Sequence, residues 1–343
     1  MTESKNTSVC IVGAGAMGII TGYHLQLAGA AVTYVVLPEQ VEQLSKPQSL
    51  YSYDDHSLKT YSGYELIADP TELAGTSFDF VIVTLDGASL RADAGQKLVD
   101  EMGRAFRNTP TQIILGSVGI DLRSWFLERT GIAETQVTGG SLGIFIYEAQ
   151  KATMPVLPGV KPDLVAKADY AYRHPSASGF NVDLSAPQVA HDFTAFYNRN
   201  GVSHSGAFPA DQHKLMVALM PMIVAWELLG WIPAADIDPA NETWQLGTEA
   251  MREFQRLSVF GAAGRAASEQ ANAESVLEIF LEMERGSSPL DVAAFNKYHH
   301  GMKVNKQDHK VLREGLSRGE AEGAEMPALR KLIARLPEES TQS

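Results

Sequence analysis

A parallel α/β sheet first, and helices alone afterwards, is the architecture that this sequence predicts. Three observations carry it. Four β-prone residues, Val9, Cys10, Ile11 and Val12, run straight into glycines spaced G-x-G-x-x-G at Gly13, Gly15 and Gly18. Strand-like and helix-like stretches then alternate through the first half, which implies crossover connections and parallel pairing. From about Pro187 onward the apolar residues recur at helical spacing.

The elements follow in order. After the first strand a helical pattern runs through Ile20, Tyr23, His24 and Leu27. Residues 31–37 read as a second strand, and 38–44 as a helix or turn. Residues 51–66 are polar and aromatic, with Gly63, and read as a small hairpin excursion. Residues 78–85 (FDFVIVTL) make a buried strand, 95–106 a helix, 112–115 a strand and 124–129 a helix. Val137 and the Gly139-Gly140 pair enter a further strand over 142–147. Residues 154–187 carry Pro155, Pro158, Pro162 and Pro175 and read as a loop-rich end to the first domain. The expected division is therefore 1–187 and 188–343. In the second part, helices are expected over 188–200, closed by Gly201, and over the long apolar stretch 209–231. Others are expected over 243–260, 271–285, from Ser288-Pro289, and over 308–322 and 327–336. No internal repeat is present, and residues 337–343 read as a frayed polar end.

The 343 residues are 45% hydrophobic and 20% charged, an ordinary globular composition able to bury a large core in two domains. A net charge of −13 argues against nucleic acid, whose phosphates need a basic surface. One cysteine, Cys10, allows no intramolecular disulfide. Residues 1–8 hold no signal-peptide core. The apolar stretch 215–231 is short for a membrane span and contains Pro221, Glu227 and Gly230, so a buried helix is the expectation and no membrane partner is implied. The compartment expected is the cytoplasm.

The glycine motif carries the chemistry. Gly13 allows the turn, Gly15 lets a backbone approach phosphates, and Gly18 lets the helix pack on the strand. The N–H groups of Ala14, Ala16 and Met17 and the helix dipole then face an anion. The reading is a Rossmann dinucleotide-binding domain, against a merely structural strand–helix turn. No Asp, Glu or Arg ends the second strand at Val36-Leu37-Pro38, and the missing acid removes what would repel a 2′-phosphate. NADP(H) is favoured over NAD(H), without an arginine to bind the phosphate. Leu85, Asp86, Ser117, Val118 and Gly119, at the carboxyl ends of later strands, are expected to line the cofactor, with ordinary turns as the alternative.

The order of the G-A-G-A-M-G motif, FDFVIVTL, IILGSVGI, Gly139-Gly140, the segment with Lys214 and Pro221, the Ser287-Ser288 turn, Gly323 and Met326-Pro327 resembles the ketopantoate reductase family. The resemblance runs from about residue 8 to residue 336. It implies a Rossmann domain joined to an all-helical domain of the 6-phosphogluconate dehydrogenase C-terminal kind. It also implies hydride transfer from NADPH to a 2-keto acid in an interdomain cleft, and a lysine on the reacting oxygen. Lys214 matches that lysine, as oxyanion partner and general acid, and burial against an apolar helix would lower its pKa; a solvated lysine is the alternative. The family's other polar positions differ. Ala218 and Gly116 replace asparagines, Asp86 or Gly87 a lysine, and no acid stands at 305–306, with Asp308 nearest. The departures point to a member with a changed substrate.

The chain offers a polar segment of its own, Tyr298-His299-His300-Gly301-Met302-Lys303 followed by Asn305, Gln307 and Asp308. His300 is a candidate acid or base, and Lys303, Ser287 and Ser288 are candidate substrate contacts. A plain helix end is the alternative. Adjacent helical histidines point about 100° apart, so no metal site is expected. Trp226, Trp231 and Trp244, with Met216, Met220 and Met222, read as core or as an apolar substrate wall. Partners expected are a small-molecule substrate and a second copy of the chain, docked through the helical domain. The functions in play are a carbonyl reductase, a dehydrogenase oxidising a hydroxy acid or sugar-acid-like compound, and a non-catalytic dinucleotide sensor.

Overall fold

The computed structural model describes residues 6–117 and 119–337. Two compact units divide the chain, Met1–Ala210 and Asp211–Ser343.

The first unit is built on an eight-stranded sheet. Its strands are β1 (Thr7–Val12), β2 (Ala30–Val35), β5 (Glu65–Ile67), β6 (Phe80–Val83), β7 (Gln112–Leu115), β8 (Val137–Leu142), β11 (Phe180–Asp183) and β12 (Ala207–Phe208). The spatial order is β12-β11-β8-β7-β6-β1-β2-β5. The six strands from β8 to β5 are parallel, and β11 pairs antiparallel to β8. Strand order reverses between β1 and β6, the place where such sheets bind ligands outside their carboxyl ends. Helices cover both faces, so β1 from Val9 onward and all of β6 are apolar. Alternate residues serve opposite cores. Val9 and Ile11 join Ile19, Tyr34, Phe180 and Phe193, while Cys10 and Val12 join Val83, Leu90, Met102 and Phe126.

A four-stranded sheet, β4-β3-β10-β9, belongs to the same unit: β3 (Gln48–Ser52), β4 (Ser57–Tyr61), β9 (Phe145–Glu148) and β10 (Tyr170–Arg173). The expected hairpin is β3–β4. The single strand expected over 142–147 is two, because Gly143 carries the chain from one sheet to the other. A Cβ there would lie 2.5 Å from the Ser178 carbonyl oxygen. The stretch 154–187 is not all loop either: β10 and β11 lie within it, too short among prolines to show a period. The helix Pro187–Tyr197, expected to open the second domain, belongs to the first unit. Its aromatic face decides this, since Phe193 and Phe196 lie 5.8 and 6.0 Å from Phe80, ring to ring.

Every described element from Met220 onward in the second unit is helical. The long helix expected over 209–231 is three pieces: Ala210–Lys214, which spans the division between the units, a tight turn Val217–Leu219, and Met220–Leu228. Pro221 sits in the first turn of the last piece, where its missing N–H costs nothing, and so begins a helix rather than continuing one. Further helices are Glu242–Gln255, Gly261–Gln270, Ala273–Ser287, Val292–Tyr298, Asn305–Ala321 and Pro327–Ile333. The helix expected to start at Ser288-Pro289 starts at Val292 instead, where the Asp291 carboxylate accepts from the Ala294 N–H at 2.8 Å; the Ser288-Pro289 peptide is cis. Trp226, Trp244 and Phe280 form the aromatic centre of this unit, with ring centroids 5.2–5.3 Å apart.

Candidate functional site

The three glycines of the first turn do three different things. Gly13 has φ of +100°, a conformation costly for other residues. Gly15 has nothing within 4 Å of where a Cβ would stand, so the turn is open on that side. Gly18 is the reverse: a Cβ would lie 2.1 Å from the Gly13 carbonyl oxygen, so the helix Ala16–Leu27 can sit this close to the turn only with glycine there. Gly15 is the helix N-cap, no side chain caps it, and no acid lies in the first turn. The positive helix end faces open space, the arrangement suited to an anion.

The ends of β6 and β7 complete this edge. Thr84, which sequence reading passed over, directs its hydroxyl to the carbonyls of Val12 and Gly13, both at 3.0 Å, and so ties β6 to the glycine turn. Ser117 donates to the Leu85 carbonyl, tying β7 to β6. The Met17 side chain lies over Gly116, where a Cβ would stand 2.7 Å from its Cε. Asp86 acts locally, its carboxylate capping the helix Gly87–Arg91 through the Ser89 N–H at 2.8 Å. Leu37 is exposed beyond β2, as are Glu39 and Lys46, and Lys46 pairs with Glu42 at 3.6 Å. Gly119 is partly buried beside Leu122. Val118 lies outside the described residues.

The second unit carries the other candidates. Lys214 ends a five-residue helix and is exposed, so the burial expected for it is absent. Ser287 is buried and donates to the Met283 carbonyl at 2.6 Å, while Ser288 beside it is exposed. Trp226, Trp244 and Met222 are core, whereas Met216 is exposed. His300 and Lys303 lie on a π turn, His299–Lys303, between two helices. Such wide turns recur at functional sites. His300 Nδ1 meets a carboxylate oxygen of Asp308 at 2.7 Å. Asp308 is buried, and burial raises its pKa although His300 opposes the shift. His299 packs face to face on Phe295 and is pushed down to about 3 by burial, His300 and Lys303.

A second histidine–carboxylate pair adjoins this one. His309 Nε2 meets Glu227 at 2.9 Å. Asn305 donates to the other Glu227 oxygen at 2.8 Å and to the His300 carbonyl at 3.1 Å. Sequence reading gave His309 no context and took Glu227 as a mere interruption of an apolar stretch. An acid inside such a stretch needs a buried partner, and that was the available signal. Among the described residues no group of three His, Cys, Asp or Glu side chains is placed to hold a metal ion. No described helix is long and apolar enough to cross a membrane.

Residues 9–98 match the family model described as ketopantoate reductase PanE/ApbA, the family that the sequence resembles. No curated protein matches the chain. Among solved structures it is similar to a 2-dehydropantoate 2-reductase from Geobacter metallireducens GS-15, at 17% identity over 95% of this chain and 98% of that one, with a TM-score of 0.63. It is also similar to D-mandelate dehydrogenase in a ternary complex with NADH and anilino(oxo)acetate, at 11% identity over 96% of each chain, with a TM-score of 0.65. A third is the dimeric ketopantoate reductase from Staphylococcus aureus, at 14% identity over 95% of this chain and 96% of that one, with a TM-score of 0.59. The expected fold class, a Rossmann domain followed by helices, is the one found, and the family it resembles is one of CH–OH oxidoreductases.

Proposed function

We propose that this chain is an NADP(H)-dependent oxidoreductase that reduces a 2-keto acid or a related small carbonyl compound to the hydroxy compound. One observation carries the reading. At the reversal of strand order, Gly15 leaves an uncapped helix end open, while Gly13 and Gly18 make the turn that no other residues could make. That cradle fits a dinucleotide pyrophosphate, held by the backbone of Gly13, Ala14, Gly15, Ala16, Met17 and Gly18. Leu37 is assigned to the ribose end, and Leu85, Asp86, Ser117 and Gly119 to the strand-end wall.

A bound nicotinamide supplies the hydride. The chain must then hold the carbonyl, stabilise the negative charge that grows on its oxygen and provide a proton. Lys214 and His300 are assigned to that oxygen, Lys214 as its cationic partner, and Ser287, Ser288 and Lys303 to the rest of the substrate. Lys214→Ala should cut turnover at least 100-fold, roughly the loss seen when one oxyanion partner goes, and leave cofactor affinity unchanged. Unchanged turnover would remove Lys214 from the mechanism.

The direct test is titration of the protein with NADPH and NADH, read by the fluorescence of its four tryptophans and of the nicotinamide. Tight binding of NADPH alone, followed by turnover of a 2-keto acid, is the expected result. Binding of neither nucleotide would reduce the glycine turn to a structural feature. The structural likeness to an NADH-bound D-mandelate dehydrogenase, and the lack of an arginine after β2, favour a second reading. In it the chain uses NAD(H) and oxidises a hydroxy acid; preference for NADH with turnover of alcohols would select it. A homodimer through the helical unit is the assembly proposed, to be checked by sedimentation.

A further inference from the structure

We propose that the π turn His299–Lys303 is a braced proton-donating site: His300 gives the proton, Asp308 positions it, and Glu227, through Asn305 and His309, holds the turn in place. The inference rests on the carbonyl-reductase reading above. It divides labour there, leaving charge stabilisation to Lys214 and the proton to His300.

The geometry comes first. Asp308 takes His300 Nδ1 at 2.7 Å, which fixes the ring and leaves Nε2 as the atom that can serve a substrate oxygen. Asp308 is 2% exposed and His300 is partly buried, so the pair is sheltered but the ring is not sealed off. A π turn is a poor fit to ordinary helix geometry and needs outside support. Its own bond closes it, and two contacts from outside support it. Val304 N–H closes the wide turn on the His299 carbonyl at 2.8 Å. Asn305 pulls on the His300 carbonyl while anchored to Glu227. Gly301 lies so close to the Trp231 indole that a Cβ would stand 2.8 Å from Nε1. Trp231 itself has φ of +58°, a strained conformation for a bulky residue, of the kind that persists where surrounding structure enforces it.

Asp308 faces His300 from the helix Asn305–Ala321, and His309 and Glu227 form the next pair. His299 lies edge to face at 4.7 Å, and Lys303 shares the turn. In the reaction the carbonyl carbon receives the hydride and the C=O π bond breaks towards oxygen. That oxygen takes the proton from His300 Nε2, leaving neutral imidazole, which water reprotonates. Asp308 positions the ring and touches no substrate.

The full-length protein tests this with Glu227→Ala, Glu227→Gln and Asp308→Asn. Hydrogen exchange at residues 299–305 should be about tenfold faster or more in Glu227→Ala, with far-UV circular dichroism and NADPH affinity unchanged. Its kcat should fall by about tenfold or more, the order expected when a positioned group is loosened. Glu227→Gln keeps the oxygen that Asn305 uses and should recover most of both. Asp308→Asn should lower kcat by about tenfold or more and leave KM and NADPH affinity unchanged, because the ring is no longer held in place for the proton transfer. Wild-type exchange rates in Glu227→Ala would overturn the brace. An Asp308→Asn kcat equal to that of the wild type would overturn the donor. A wild-type protein that binds neither nucleotide and reduces no carbonyl fails the functional reading and the donor with it, while the exchange rates still decide the brace.

Discussion

At the scale of single residues, Gly15 and Gly18 look alike in sequence and differ in what they tolerate. Gly15 has open space where a Cβ would go, so Gly15→Ala should leave the melting temperature within about 2 °C while weakening NADPH binding; only an occupant of that space would feel the methyl. Gly18→Ala drives a methyl against backbone 2.1 Å away. It should cost about 1–3 kcal/mol, as overpacking does, and weaken binding as well. Equal effects of the two variants on stability would contradict the geometry. The motif spacing assigns Gly15 to a ligand and Gly18 to packing; the backbone beside Gly18 agrees with the second, and the space beside Gly15 is open.

At the scale of elements, caps and breaks are set by side chains a few residues apart. Asp86 caps Gly87–Arg91, and Asp86→Ala should lower stability by about 1 kcal/mol, the usual cost of a lost N-cap, measurable by urea denaturation. No loss would mean that the carboxylate does something else. The strands 112–115 and 80–83 were legible because continuous apolar runs need burial on both faces. The break of 209–231 was less so, since Pro221 fits equally a helix start or a kink. The π turn was not legible at all: His299 to Lys303 read as a polar segment with candidate site residues, or else as a plain helix end, and nothing local distinguishes a wide turn from a regular one. Its supports come from Glu227, 78 residues before Asn305, and from Trp231, well before Gly301 in the chain.

At the scale of the whole molecule, buried histidines make stability depend on pH. His24 is fully buried, with Nδ1 2.8 Å from the Tyr197 hydroxyl and the ring stacked on His174 at 5.5 Å. Burial first, then His174, pushes its pKa from 6.5 down to about 3, against a raising effect from Asp54. Below 6.5 the unfolded chain takes a proton that the folded one refuses. The stability that His24 contributes is therefore complete above pH 6.5 and drains away as the pH falls towards 3. His299, held down in the same direction, adds to the slope. Each can contribute up to about 1.4 kcal/mol per pH unit. Urea midpoints should fall steadily from pH 7 to pH 4, and a flat profile would mean that His24 is not buried neutral.

The order of residues alone decided the succession of strands and helices in the first half, the helical second half and the glycine cradle, because each is written in short-range periodicity or in backbone freedom at neighbouring positions. Tertiary structure decided the rest. It placed the helix Pro187–Tyr197 with the sheet through Phe80, drew β9 and β10 into a second sheet, and joined Glu227, Asn305 and His309 behind His300. The physical reason is common to all of them. Burial leaves a polar or aromatic side chain dependent on a partner, and that partner lies wherever the fold brings the chain back, at a distance that no local pattern records.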